Sequence, residues 1–78
     1  MVSDTTREVA DKVAAALYRS GMSKRSLSAA TGIPETTLLR KINANGDFGV
    51  SELVRIAKAL DVPASEIAPS AFVAKAVA

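Results

Sequence analysis

An all-α fold, a compact bundle of about five short helices, is what this sequence predicts, and three observations predict it. Hydrophobic residues make up 49% of the 78 positions but aromatic ones only 4%, so a core must be assembled from Ala, Val, Leu and Ile on closely packed helices. Apolar residues recur at spacings of three, four, seven and eight, the period of one helix face. Gly, Pro and Asn interrupt these stripes about as often as short helices require. A chain of this length makes one domain and buries only roughly 60% of the surface its unfolded form exposes.

The first helix is expected to start near Asp4 or Thr5, because Thr5-Thr6-Arg7-Glu8 has capping-box spacing, in which hydroxyl and carboxylate satisfy free amides reciprocally. Val9, Val13, Ala16 and Leu17 then form one apolar stripe, with Arg7, Asp11, Lys12 and Arg19 off it. Gly21 ends that helix. Ser23 suits the N-cap of a second helix, Lys24 to Thr31, with Leu27 and Ala30 facing inward and Gly32 as its left-handed terminator. After the turn residue Ile33, Pro34 fits the first position of a third helix, where its missing amide would have had no partner. Leu38 and Ile42 share a face of that helix and turn Glu35, Thr36, Leu39, Arg40 and Asn43 elsewhere.

The run Asn43-Ala44-Asn45-Gly46-Asp47 is a dense turn signal. Ser51 is expected to cap a fourth helix, whose stripe of Leu53, Ala57 and Leu60 is broadened by Val54 and Ile56 and closed by Asp61-Val62-Pro63. Phe48 is read as a core plug beneath the loop, with an exposed partner contact as the alternative. A fifth short helix, Ala64 to Ala68, brings Ile67 to the core. The helical domain is thus expected over residues 1–68, followed by an apolar tail at 69–78 that either packs on its own domain or dimerises.

Composition excludes whole classes of chemistry. With no Cys and no His, the chain lacks thiol nucleophiles, imidazole bases and the usual zinc ligands, so no catalytic residue, metal site or cofactor is expected. No charge-free apolar run approaches a membrane span, and the first residues carry the wrong charges for a signal peptide; no membrane partner is expected, and the cytoplasm of a bacterial host is the expected location. Net charge is only +2, but it is unevenly placed. Between Arg19 and Lys41 five basic residues face one acidic one, Glu35, so that stretch carries +4 and the remainder −2. A surface that meets phosphate is expected there.

Two short helices joined by a tight turn containing Gly, inside a small helical domain, are what a helix-turn-helix requires. The string GMSKRSLSAATGIPETTLLRKINANGDFGVSELVRIAKALDVPASEI resembles the phage repressor and Cro family of helix-turn-helix domains from about Gly21 to Ile67: Ser23 opens the second helix, Leu27 lies in its core, Gly32-Ile33 stand at the turn, Thr37-Leu38 lie within the third helix, and SELVRIAKALDV follows. Lys24, Ser28, Thr31, Pro34 and Leu39 depart from the residues common at those positions. The resemblance implies double-stranded DNA as the partner, with the third helix in the major groove.

By the same resemblance Glu35, Thr36 and Arg40 fall where base-reading side chains sit, with Leu39 on the same outward face. Arg40 can donate bidentately to guanine O6 and N7, Glu35 can accept from cytosine N4, and methyls of Thr36 or Leu39 can meet a thymine methyl. Phosphate contacts are expected from Ser23 and Lys24 at the start of the second helix, from Thr37, Lys41 and Asn43, and from Asn45, Gly46 and Ser51 around the following loop. The family's sites are two symmetric half-sites, so a homodimer on operator DNA is expected, and the length suggests a Cro-type phage or prophage repressor. The competing reading is an antitoxin or other protein-interaction module whose tail holds a protein partner; no small-molecule substrate is expected.

Overall fold

Each helix starts and stops at residues whose local chemistry ends the backbone ladder, and a shared apolar core then fixes their mutual angles. A computed structural model of the chain describes residues 3–69. In order it contains α1 (Asp4–Ser20), α2 (Lys24–Thr31), α3 (Glu35–Ile42), α4 (Val50–Leu60) and a single 3-10 turn at Ala64–Glu66. The all-helical expectation holds, with four α-helices and that turn standing for five helices.

The start of α1 differs from expectation in its cap. Ser3, not Thr5, takes the N-cap position, and its Oγ accepts from the Thr6 amide at 3.0 Å. Glu8, the other member of the expected box, instead pairs with Lys12 one turn on, at 3.2 Å. The stripe itself is as read: Val9, Val13, Ala16 and Leu17 are buried, joined by Ala10.

The second helix has the expected limits because both ends are specified locally. Ser23 Oγ accepts from the Ser26 amide at 3.0 Å, and Gly32 adopts φ +77°, a left-handed conformation that L side chains rarely tolerate. Leu27 is fully buried, but Ala30 is exposed, contrary to expectation, and the inward position is taken by Thr31. A buried hydroxyl is tolerated because it is bonded twice: Thr31 Oγ1 donates to Leu27 O at 2.8 Å and accepts from the Ile33 amide at 3.3 Å. Ser28 Oγ donates to Ile33 O at 2.5 Å. The departures from family-typical residues at Ser28 and Thr31 therefore lace the turn to α2.

Two further boundaries shift. Pro34 is the N-cap of α3 rather than its first helical residue, with ψ 140° and its carbonyl accepting from Leu38 N. Gly49, not Ser51, caps α4; without a side chain it supplies only half a capping box, in which Glu52 Oε1 accepts from the Gly49 amide at 2.7 Å. Ser51 consequently lies inside the first turn. After α4 the chain forms one 3-10 turn, not the helix Ala64 to Ala68, though Ile67 is fully buried as expected.

The core is one cluster drawn from all four α-helices and the segments beside them: Val13 and Leu17 from α1, Leu27 from α2, Ile33 from the turn, Leu38 and Ile42 from α3, and Ile56, Leu60 and Ile67 behind them. Helix α2 packs on both α3 and α4, while α1 supports α3 from the other side. Phe48 is half-buried against this cluster, as is Leu53, whereas Val54 is 41% exposed and does not broaden the α4 stripe as expected. Arg55 closes the assembly: Nη1 donates to Thr31 O at 2.9 Å, satisfying a carbonyl left free at the end of α2. Lys12 Nζ donates to Ala68 O at 3.0 Å and holds the last described residues over α1. The tail expected over residues 69–78 lies, apart from Pro69, outside the described residues.

Leu27→Ala is expected to cost about 2–5 kcal/mol in urea unfolding, because the cavity opens between α2, α3 and α4. Ala30→Lys, on the exposed side of the same helix, should stay within roughly 0.5 kcal/mol of the parent.

Candidate nucleic-acid interface

The geometry that matters is the α2–turn–α3 pair. Both helices have eight residues, and Gly32-Ile33-Pro34 joins them. The turn is short and bonded to α2 through Ser28 and Thr31, and the two helices pack directly on each other. Leu38 and Ile42 face the core, which leaves Glu35, Thr36 and Arg40 exposed on α3, with Thr37 and Leu39 half-buried at the edges of that face.

At the start of α2, Ser23 commits its hydroxyl to the cap, accepting from Ser26 N. Lys24 and Arg25 follow, both exposed in the first helical turn. The expected contact set omitted Arg25. Tyr18, 89% exposed at the end of α1, lines the same shallow groove as Lys24, Arg25 and Glu35. Nothing in the sequence pattern distinguished Tyr18 from any other residue off the α1 stripe.

The C-terminal end of α3 and its loop form a second cluster. Asn43 is exposed at the helix end, and the chain then closes in a Schellman arrangement: Ala44 N donates to Lys41 O at 3.0 Å and Asn45 N to Arg40 O at 2.9 Å. Ala44 holds the left-handed position, φ +64°, and is buried. Arg40 Nη1 donates to Asn45 O at 3.2 Å, so Arg40, Asn45 and Gly46 lie together. Ser51, exposed in the first turn of α4, gives its carbonyl to Arg55 Nε at 3.3 Å.

Lys41 is the residue whose surroundings differ most from those of a free surface cation. Its Nζ lies 2.7 Å from Glu52 Oε1, with the two side chains only 14% and 17% exposed. The same oxygen accepts from Gly49 N, so Glu52 joins the end of α3 to the start of α4 across the loop. Burial by itself would raise the Glu52 pKa. Hydrogen bonds from Lys41 and the Gly49 amide, with the charges of Lys41 and Arg55, outweigh it and hold the carboxyl below its ordinary value. Glu52 was not among the expected site residues. Its signal was an acid three residues after a cap, which becomes legible only once Gly49 is recognised as that cap.

Among the described residues no group of three or more His, Cys, Asp and Glu side chains comes together to hold a metal ion, and no helix is long and apolar enough to cross a membrane. The arrangement presents exposed side chains on one short helix, cations and helix-start amides on another, and an ordered loop beside them. A family model described as the Cro/C1-type helix-turn-helix DNA-binding domain matches residues 12–68. The chain belongs to this family. No curated protein matches it. The Cro/C1-type match spans the second half of α1 and all of α2, α3, α4 and the 3-10 turn, so the exposed helix pair and every residue of the core cluster but Val9 fall within one family unit. The protein is a DNA-binding regulator, of a family that is typically non-enzymatic.

The Glu52 carboxyl, with a folded pKa below its unfolded one, contributes stability that is complete above the ordinary carboxylate value and is lost as pH falls through the folded value. Glu52→Gln is therefore expected to be less stable than the parent near neutral pH by about 1–2 kcal/mol, and the gap should narrow as pH falls from about 6 to 3 in thermal or urea melts.

Proposed function

We propose that this regulator binds operator DNA sequence-specifically, laying α3 in the major groove as a Cro-type repressor of phage or prophage origin, and blocks transcription by occluding promoter DNA in the bacterial cytoplasm. The observation that carries the reading is the exposed face of α3: Glu35, Thr36 and Arg40 stand outward from a helix whose opposite face, Leu38 and Ile42, is locked in the core. A rigid helix with outward side chains is the geometry major-groove readout needs, since a groove about 12 Å wide admits a helix and exposes a distinct donor and acceptor pattern for each base pair.

In this reading Arg40 pairs with guanine, Glu35 accepts from cytosine N4, and Thr36 and Leu39 offer methyls to thymine. Lys24 and the first amides of α2, joined by the neighbouring Arg25, meet phosphate, with further polar contacts from Thr37, Asn43, Asn45 and Ser51. Ser23 contributes by capping α2 and fixing those amides. Lys41 contributes charge that Glu52 partly offsets, so it is a weaker phosphate ligand than an unpaired lysine. Two copies on one duplex face would read half-sites roughly 34–36 Å apart.

Selection from a random duplex library should yield a pseudo-palindromic site. Against that site, Arg40→Ala is expected to lose about 1–3 kcal/mol of preference at a single G·C pair in each half-site. Lys24→Ala should instead weaken binding to all duplexes alike and reduce the salt slope by about 1. Enrichment of no consensus, or a consensus indifferent to every substitution on α3, would remove α3 as the reading element.

A further inference from the structure

The contact between Arg40 and the loop that follows α3 is reciprocal. Asn45 N donates to the Arg40 carbonyl at 2.9 Å, and Arg40 Nη1 donates back to the Asn45 carbonyl at 3.2 Å. The side chain therefore folds over the backbone that its own residue anchors. What allows this is the glycine next in the chain: a Cβ on Gly46 would lie 2.8 Å from Arg40 Nη1 and 3.6 Å from its Cζ. The loop beneath cannot easily shift to make room, because Ala44 is buried in a left-handed conformation and both Schellman hydrogen bonds are made.

We propose that Asn45 and Gly46 form a cradle that sets the position of the Arg40 guanidinium, so that Gly46 is a specificity-determining positioning residue and not a phosphate ligand. This rests on the reading of Arg40 as a base contact. A guanidinium has five donors in a fixed fork. One is spent on the Asn45 carbonyl, and enough remain for two parallel bonds to guanine O6 and N7. Holding the fork beforehand removes part of the rotamer freedom that a long exposed side chain otherwise loses on binding. Because the cradle is loop backbone, the reach of a side chain on α3 is set from outside α3.

The test is Gly46→Ala in the full chain. Gly46 does not occupy a left-handed conformation, and the atoms nearest an added Cβ are the end of the flexible Arg40 side chain and, at 3.6 Å, Lys41 Cγ, so the fold should be retained, as checked by circular dichroism. Fluorescence anisotropy would compare the selected duplex with one in which the guanine facing Arg40 is replaced. The expected result is a roughly tenfold loss of preference between the two, with binding to the guanine-replaced duplex and its salt slope unchanged. In an Arg40→Ala background the same substitution should have no further effect. Equal weakening on both duplexes would make Gly46 a phosphate-side residue and overturn the proposal, as would an unaltered preference. If Arg40→Ala itself leaves the preference intact, Arg40 is not a base reader, and the functional reading fails together with the cradle. A measurement on the parent protein avoids dependence on the variant's folding: the Arg40 Nε order parameter in the free protein should exceed that of exposed Arg25, and equal values would exclude a preformed cradle.

Discussion

Eight-residue helices do not persist alone in water, because each must recover the cost of nucleation with very few hydrogen bonds. Both helices that carry the outward side chains of this regulator are of that length, so their existence depends on burial of Leu27, Ile33 and Leu38 against α1 and α4. That shared core is the constraint on which the rest depends. It orients α3 by its inner face and thereby determines which residues are left outside. Apolar burial here is worth roughly 25 cal/mol per Å², and it comes from small aliphatic side chains. Each core position consequently matters more than it would in a larger domain.

Directional bonds then stiffen the joints that the core leaves loose. Thr31 and Ser28 tie the turn to α2, Arg55 ties α4 to the end of α2, and Glu52 ties α4 to Lys41 and Gly49. Side chains of the α2–turn–α3 surface are thus divided between those with no bonded side-chain partner among the described residues, such as Lys24 and Thr36, and those held by their neighbours, such as Arg40 and Lys41. The pairing of Lys41 with Glu52 lowers the net positive charge at this end of α3.

Much of the fold was legible because its punctuation is local. Ser23 and Gly32 set the limits of α2 by a side-chain cap and a left-handed terminator, both of which depend on residues within a few positions. The differences arose where two local signals competed or where distant partners decided. Ser3 took the cap from Thr5, and Gly49 took it from Ser51 because Glu52 could reach back to its amide. Thr31 rather than Ala30 turned inward because its hydroxyl found the Leu27 carbonyl and the Ile33 amide. Periodicity alone favours the apolar residue and carries no information about such bonds.

The sequence by itself determined the helical class, the α2–turn–α3 pair, the aliphatic core and the concentration of positive charge between Arg19 and Lys41. These follow from spacing and residue type, which act over one or two helical turns. Only the tertiary structure decided that Lys41 is paired with Glu52, that Arg55 caps α2, and that Arg40 rests on Gly46. Each of these joins side chains to groups beyond their own helix. The distances of the Lys41 and Arg55 contacts are set by how the core packs, whereas the Arg40 contact is set by the closure of the loop just after α3.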